Sequence, residues 1–353
     1  FETSSKVRSR IMAQSLAGLI SRSRNVLVMG HKNSDLDSFG ASLAAARIAE
    51  NLGKRANIVI DYESLEEKTK GVVEMLRSNP DYKGLMLTIS EALEKANKGT
   101  LLICVDNHKD SLAISRSVLD KVKNKVIIDH HRRAEDIIGD TTLLYLEPSS
   151  SSTSELVTEL IGYFDDRLDI TPAEATALYA GIVLDTKNFN VQTGERTFEA
   201  AALLRRCGAN PNLIRQLFKD DLSFVQQKAK LIAGARMPIP GLSIAIMRNA
   251  DNDTMSSVLA AQTADTLITI ESVAVGMAIV EYKDGSLSIS ARSDGSVNVQ
   301  VIMEELGGGG HQTVAGVQLA NKRARDVEAQ IIALTKKQLE ECRTDESNSF
   351  TRC

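Results

Sequence analysis

Four short stretches bring together side chains that bind metal ions. HKNSDLD places His31, Asp35 and Asp37 within seven residues; VDNH supplies Asp106 and His108; IDHH supplies Asp129, His130 and His131; and VLDT supplies Asp185. Carboxylate oxygens and imidazole nitrogens without sulfur suit a hard or borderline divalent cation: manganese, iron, magnesium or zinc. So many carboxylates in one place repel one another unless cations neutralise them. His31, Asp35, Asp37, Asp106, His130 and Asp185 make six donors, more than one ion with open positions needs. Two ions roughly 3.5–4 Å apart are the known device for in-line displacement at phosphorus. Taken alone, Asp35 or Asp37 reads as a helix cap. His108, beside Lys109 and Asp110, reads as a surface residue or one supporting a ligand.

The elements around these residues explain how they meet. Lys6 to Ser21 has apolar residues at helical spacing. Val26–Met29, Asn57–Ile60, Leu101–Val105 and Val126–Ile128 read as short apolar strands, with a helix over Asp37–Asn51 and further helical stretches between them. The alternation predicts an α/β domain with a parallel, doubly wound sheet, whose ligands sit at the carboxyl ends of the strands. His31, Asp106 and His130 each follow such a run. Residues from Glu155 to about Leu231 read as helical, and Pro238-Ile239-Pro240-Gly241 reads as a boundary. Strands at Leu242–Met247, Ala274–Val280 and Leu287–Ala291, with helices at Val258–Leu267 and Arg323–Leu339, predict a smaller α+β domain. The divisions expected are 1–205 for the metal-binding domain, 206–238 for a helical linker, 239–341 for the second domain and 342–353 for a frayed polar tail.

Composition narrows the function classes. A chain of 353 residues, 43% hydrophobic and 25% charged, has material for two cores and no case for wholesale disorder. A net charge of -4, with eight Phe, six Tyr and no Trp, argues against a long basic stacking groove for single-stranded nucleic acid. No run reaches the length of a membrane span, so the segment as given is expected to be cytoplasmic. Cys104, Cys207, Cys342 and Cys353 form no C-x-x-C pair and are expected to be reduced. The start FETSSKVRSR, without Met, suggests a piece of a longer protein.

Weaker signals lie elsewhere. Gly307 to Gly310 lack a Cβ, which would let backbone N–H groups approach a phosphate or base, with His311 next to them. Arg292, at the end of LSISA, offers a charged fork for a second phosphate. Ser149 to Ser154 precede a helical stretch and read as its cap, as do Thr193, Arg196 and Thr197 for the next one. Arg132 and Arg133 read as solvated, with a possible steering role.

HKNSDLD, VDNH, IDHH and VLDT resemble the metal-binding motifs of the DHH phosphoesterase family, which includes RecJ exonucleases, family II pyrophosphatases and nano-RNases. GGGGHQTVAG resembles the DHH-associated domain. The wording of MGHKNSDLDSFGASL, EPSSSSTSELVTELI, DTKNF and SARSDGSVNVQVIMEELGGGGHQTVAG is similar to the cyclic di-AMP phosphodiesterase branch of that family. The resemblance implies a first metal on His31, Asp35 and Asp106, and a second on Asp37, Asp106, His130 and Asp185, with Asp106 bridging and manganese as the usual ion. It implies that Asp106, Asp129 and His131 serve catalysis, Asp129 by orienting an imidazole and His131 by facing the scissile phosphate. Arg292, Gly308, Gly309, Gly310 and His311 would bind substrate. The implied reaction is hydrolysis of cyclic di-AMP to linear pApA by two-metal activation of water, in second-messenger signalling. Two rivals are a nano-RNase- or RecJ-like hydrolase of short linear oligonucleotides or pApA, and a nucleotide sensor whose catalysis has decayed. The same resemblance implies a homodimer, no long nucleic acid partner, and a longer parent anchored in the cell membrane through upstream membrane and sensor domains.

Overall fold

In Asn25–Met29 (β1) Val26, Leu27, Val28 and Met29 are all buried, as a parallel strand covered on both faces requires. The computed structural model describes residues 2–164 and 169–349. β2 (Ala56–Val59), β3 (Met86–Leu87), β4 (Thr100–Val105), β5 (Asn124–Asp129) and β6 (Thr141–Leu146) complete a six-stranded sheet in the order β3-β2-β1-β4-β5-β6. Every neighbouring pair is parallel. The chain winds outward from β1 to β3, then returns to the other side of β1 as β4. The strand order therefore reverses between β1 and β4, the position where doubly wound sheets open a crevice.

The helices of this unit are α1 (Glu2–Arg22), α2 (Leu36–Asn51), α3 (Glu67–Arg77), α4 (Ile89–Lys95), α5 (Arg116–Lys121), α6 (Thr153–Ile161), α7 (Pro172–Asp185), α8 (Glu195–Arg206) and α9 (Pro211–Leu217). Alternation along the strands divides them between two layers. Val26, Val28, Leu101, Ile103, Val126 and Ile128 pack with Leu16, Phe39, Leu156, Leu178 and Leu204 from α1, α2, α6, α7 and α8. Leu27, Met29, Leu102, Cys104 and Ile127 pack with Ala92, Val118 and Leu119 from α4 and α5. Side-chain caps start the helices nearest the crevice: Asp35 for α2, Ser152 for α6 and Thr171 for α7.

The chain forms two compact units, 1–219 and 220–353. The expected linker over 206–238 is thus not a separate piece. α9 places Ile214 in the first core, whereas α10 (Leu222–Ala233) belongs to the second unit, where Lys228 Nζ donates to Gln262 Oε1 at 3.2 Å. The boundary thus falls between two short helices, where composition gives no signal.

The second unit contains β7 (Arg236–Ile239), β8 (Gly241–Ala250), α11 (Thr254–Leu267), β9 (Val273–Tyr282), β10 (Ser286–Ser293), α12 (Val299–Glu305), β11 (Gly309–Gly310), β12 (Val314–Ala320) and α13 (Ala324–Ser349). Its sheet has the order β11-β12-β10-β9-β8-β7, antiparallel except for the parallel pair of β8 and β9. The proline-bearing segment read as a boundary is the end of the edge strand β7 and its turn into β8: Pro238 sits in β7, where a missing N–H does no harm, and Pro240 lies between the two strands. The tail expected to fray continues α13 as far as Ser349, and Phe350–Cys353 lie outside the described residues. Cys104 and Cys207 are free thiols, the former buried and its thiol pushed up to about 12 by that burial; Cys353 lies outside the described residues, as does the side chain of Cys342. Among the described residues no helix is long and apolar enough to cross a membrane.

Candidate metal centre

β1 delivers His31 and β4 delivers Asp106 to the two sides of the crevice, and β5 ends on Asp129 with His130 and His131 after it. Asp106 has a positive φ of 57°, a conformation that aspartate tolerates better than most residues, while its N–H still donates to the Ile128 carbonyl at 2.9 Å. The turn leaves its carboxylate facing two sets of donors. Oδ2 lies 3.2 Å from His31 Nε2, and Oδ1 lies 3.6 Å from His130 Nε2. His31 Nε2 is also 3.8 Å from Asp35 Oδ1, and His130 Nε2 is 3.2 Å from Asp185 Oδ2. His31 Nδ1 hydrogen-bonds the Lys32 carbonyl at 2.6 Å, which turns Nε2 inward.

Asp35 and Asp37 have separate roles in the local chain. Asp35 Oδ1 caps α2 by accepting from the N–H groups of Asp37 and Ser38. Asp37 is fully buried and is held from 116 residues away, by the N–H groups of Thr153 and Ser154 at the start of α6, both at 2.8 Å. Thr153 Oγ1 also donates to Asp106 Oδ1 at 3.0 Å. Gly181 of α7 permits this crowding: a Cβ there would stand 2.4 Å from Ser154 Oγ and 2.8 Å from Asp37 Cα. Asp185 ends α7, where the helix dipole disfavours negative charge. The turn beyond it is left-handed at Lys187, Asn188 and Phe189, and is pinned by Thr186 Oγ1 accepting from the Phe189 N–H.

Burial pushes the Asp37 carboxyl well up, aided by the charges of Asp185 and Asp106. Burial likewise raises Asp185, to about 6, with Asp106 adding to it. Burial alone would lower His31 and His130, but the surrounding carboxylates outweigh it, Asp106 and Asp35 pushing His31 up to about 11 and Asp185, Asp37 and Asp106 pushing His130 up to about 10. The cluster is short of positive charge. His31, Asp35 and Asp106 form one set of donor atoms within 4.8 Å of each other, and Asp37, His130 and Asp185 form another. Asp106, His130 and His131 form a third. Oxygen and imidazole donors around uncompensated buried carboxylates fit a divalent cation.

Asp129 grips two imidazoles. Its Oδ1 accepts from His131 Nδ1 at 2.7 Å and from the His131 N–H at 3.1 Å, and its Oδ2 accepts from His108 Nδ1. Burial acts to raise Asp129, but these bonds outweigh it and hold the carboxyl far below its ordinary range. His108 is buried, not a surface residue as one reading of its polar neighbours allowed; its Nε2 accepts from the Ala134 N–H at 3.0 Å, so Nδ1 carries the proton. The resemblance implied that Asp129 orients an imidazole; sequence reasoning missed His108 as its second partner and the Asp37 contacts of Thr153 and Ser154, and only the run EPSSSSTSE, read as a cap, hinted at the latter. His131 is half-exposed and lines a cleft of about 240 Å³ with His31, Asp35, Asp106, Lys109 and Asp185. Arg132 and Arg133 are exposed. Gly194 caps α8 with help from Thr197, and Arg196 pairs with Glu159.

In the second unit, Arg292 is paired with Val314 in the ladder, and the His311 N–H donates to the Val314 carbonyl at 2.7 Å. Arg292 is not a free fork: Nε donates to Asp265 at 2.8 Å and Nη1 to the Ala291 carbonyl at 3.0 Å. The N–H groups of Gly307 and Gly308 close the end of α12 on Glu304 and Met303. Gly309 and Gly310 form β11 against β12, and a Cβ on Gly308 would stand 2.3 Å from the Gly316 carbonyl oxygen. His311 is exposed.

Residues 25–182 match the N-terminal domain of the DHH family, and residues 243–341 match the DHHA1 domain. The chain belongs to the DHH family in its two-domain form, and Asp185 lies three residues past the first matched segment. It is 40% identical over 332 residues to "Cyclic-di-AMP phosphodiesterase PdeA" of Listeria monocytogenes, an alignment covering 94% of this chain and 50% of the relative. It is 42% identical over 330 residues to "Cyclic-di-AMP phosphodiesterase GdpP" of Geobacillus thermodenitrificans, again covering 94% and 50%. The chain thus spans about half the length of these curated relatives. In fold it is similar to the crystal structure of an exopolyphosphatase-related protein from Bacteroides fragilis, with a TM-score of 0.74 and 18% identity, covering 94% of this chain and 96% of the other.

Proposed function

We propose that the chain is the catalytic portion of a cyclic di-AMP phosphodiesterase that produces linear pApA. The observation that carries the reading is the carboxylate of Asp106, whose two oxygens face different donor sets across the reversal of strand order. The substrate assignment is supported by 40–42% identity across 94% of the chain to proteins of that name. His31, Asp35 and Asp106 would hold one ion, and Asp37, Asp106, His130 and Asp185 a second, with manganese the ion that the family resemblance implies among those this donor set suits. Divalent ions so placed lower the pKa of water and neutralise charge on a phosphoryl group.

The residues then act as follows. α6 and Gly181 fix Asp37, and the backbone of Asp106 fixes the shared carboxylate. Asp129 accepts a hydrogen bond from His131 Nδ1–H and favours the protonated imidazole, leaving Nε2–H to face the reacting phosphate and to protonate the departing ribose oxygen. Water oxygen would bond to phosphorus as the water gives up a proton, the bond from phosphorus to the 3′ oxygen would break, and that oxygen would leave with the His131 Nε2 proton, which a proton from solvent then replaces. Arg292, Gly308, Gly309, Gly310 and His311 would contact the nucleotide from the second unit, His311 with its side chain and the glycines through backbone. Arg292 would do so while still held by Asp265.

The test is a turnover panel of cyclic di-AMP, pApA and short linear oligonucleotides with manganese or magnesium. The reading expects cyclic di-AMP to be the fastest substrate and manganese the better ion. Faster linear turnover would overturn it in favour of a nano-RNase-like hydrolase, and binding without hydrolysis in favour of a sensor.

A further inference from the structure

In one wall of the cleft beside the donor cluster only His108, held by Asp129, has been given a part in the hydrolytic centre. That wall is the loop that follows Asp106, from Asn107 to Leu112. Asn107 is buried, and its side chain is used wholly on backbone: Nδ2 donates to the Lys109 carbonyl and Oδ1 accepts from the Lys109 N–H, both at 2.9 Å. This clamp fixes the Lys109 backbone three residues from the shared carboxylate. Lys109 is half-buried and lines the cleft with His31, Asp106 and His131. Among the described residues its ammonium has no hydrogen bond or ion pair. Acids nearby are engaged: Asp110 pairs with Arg116, and Asp136 accepts from the Ser111 N–H at 3.1 Å. Lys32, by contrast, donates to the Ser111 carbonyl. The Lys109 charge acts on Asp136, but its ammonium, bonded to no side chain, stands beside a cluster whose bound cation would repel it.

Charge suggests its purpose. Asp35, Asp37, Asp106 and Asp185 carry four negative charges, which two divalent ions neutralise. A cyclic dinucleotide brings two phosphodiesters of one negative charge each. The phosphate being hydrolysed would face the ions, which leaves the other without a counter-charge unless a side chain of the protein supplies one. We infer that Lys109 binds the second, non-reacting phosphate of the substrate and so favours substrates with two phosphates over simple phosphodiesters. The inference rests on the phosphodiesterase reading above and names a residue which sets that site's preference.

The experiment compares Lys109→Gln and Lys109→Arg with the unaltered protein, manganese-loaded. It uses cyclic di-AMP and bis(p-nitrophenyl) phosphate, which has a single phosphate. Loss of one charge-assisted contact predicts that Lys109→Gln lowers kcat/KM for cyclic di-AMP about tenfold more than for the simple diester, mostly through KM. Lys109→Arg recovers most of that discrimination, which a damaged fold would not allow. A binding measurement gives a second readout: the dissociation constant for pApA rises about tenfold relative to that for ApA, which lacks the terminal phosphate. Equal losses on both substrates, or none on either, would overturn the inference. If the unaltered protein cleaves pApA but not cyclic di-AMP, the cyclic reading fails, and pApA against ApA still decides the role of Lys109.

Discussion

Asp37 in the first unit and Arg292 in the second are both charged side chains withdrawn from water, and the chain treats them differently. Arg292 is balanced by Asp265 and a carbonyl. Asp37 has only two N–H groups at a helix start, with Asp106 and Asp185 near enough to push its carboxyl up. A buried charge with a full set of partners is part of the framework, whereas one left short marks a place for a missing cation. The same division separates the glycines: Gly181 makes room for the buried Asp37, and Gly308 makes room for a neighbouring strand.

The largest effect that would break this contrast is expected from Asp106→Ala. Removing the shared carboxylate should lower turnover by on the order of 10³-fold, with circular dichroism and Tm close to the original. Next is Asp129→Asn, which weakens the grip on His131 and His108; kcat should fall about 10- to 100-fold, and the loss should exceed any change in KM.

Proton competition sharpens the comparison further. Without metal, His31 keeps its proton up to about 11 and His130 up to about 10, while Asp185 holds one below about 6. Only the deprotonated groups bind a cation, so between pH 6 and 10 both histidine protons must leave and affinity must climb with pH. Calorimetry in buffers of different ionisation heat should detect the released protons, and each displaced proton strengthens apparent affinity by about tenfold per pH unit. An affinity flat with pH would contradict the cluster's electrostatics.

The two glycines test the division directly. Gly181→Ala and Gly308→Ala should each destabilise their own unit by about 1–3 kcal/mol through overpacking. Only Gly181→Ala should also weaken metal binding, read by manganese titration. The smallest effect is expected from His311→Ala: the side chain is exposed, so Tm should hold while KM for cyclic di-AMP rises a few-fold, on the order of 1 kcal/mol or less.

Much of the first unit was legible in the sequence because parallel strands buried on both faces must be apolar runs, and VLVM, LLICV and VIID stand out as such. β3 has only two residues, and β6 mixes Thr with Leu at the sheet's edge, so neither carries that signal. β12 was hidden within a stretch read for its glycines. The donor set was legible because the chemistry restricts residue type. The supports were not: His108 is surrounded in sequence by polar residues yet buried in space, and the contact between Asp37 and α6 spans 116 residues. Lys109 carries no signal in the sequence either, since only the cleft shows where it lies and that, among the described residues, its tip makes no hydrogen bond or ion pair.

The central claim is a centre of two cations that hydrolyses a cyclic dinucleotide. Its most direct test is to strip the protein of metal, then follow cyclic di-AMP hydrolysis as manganese is added back. The account predicts no turnover in the stripped protein and full recovery at two equivalents per chain. Turnover without metal, full recovery at one equivalent, or a fully loaded protein inert towards cyclic di-AMP would contradict it.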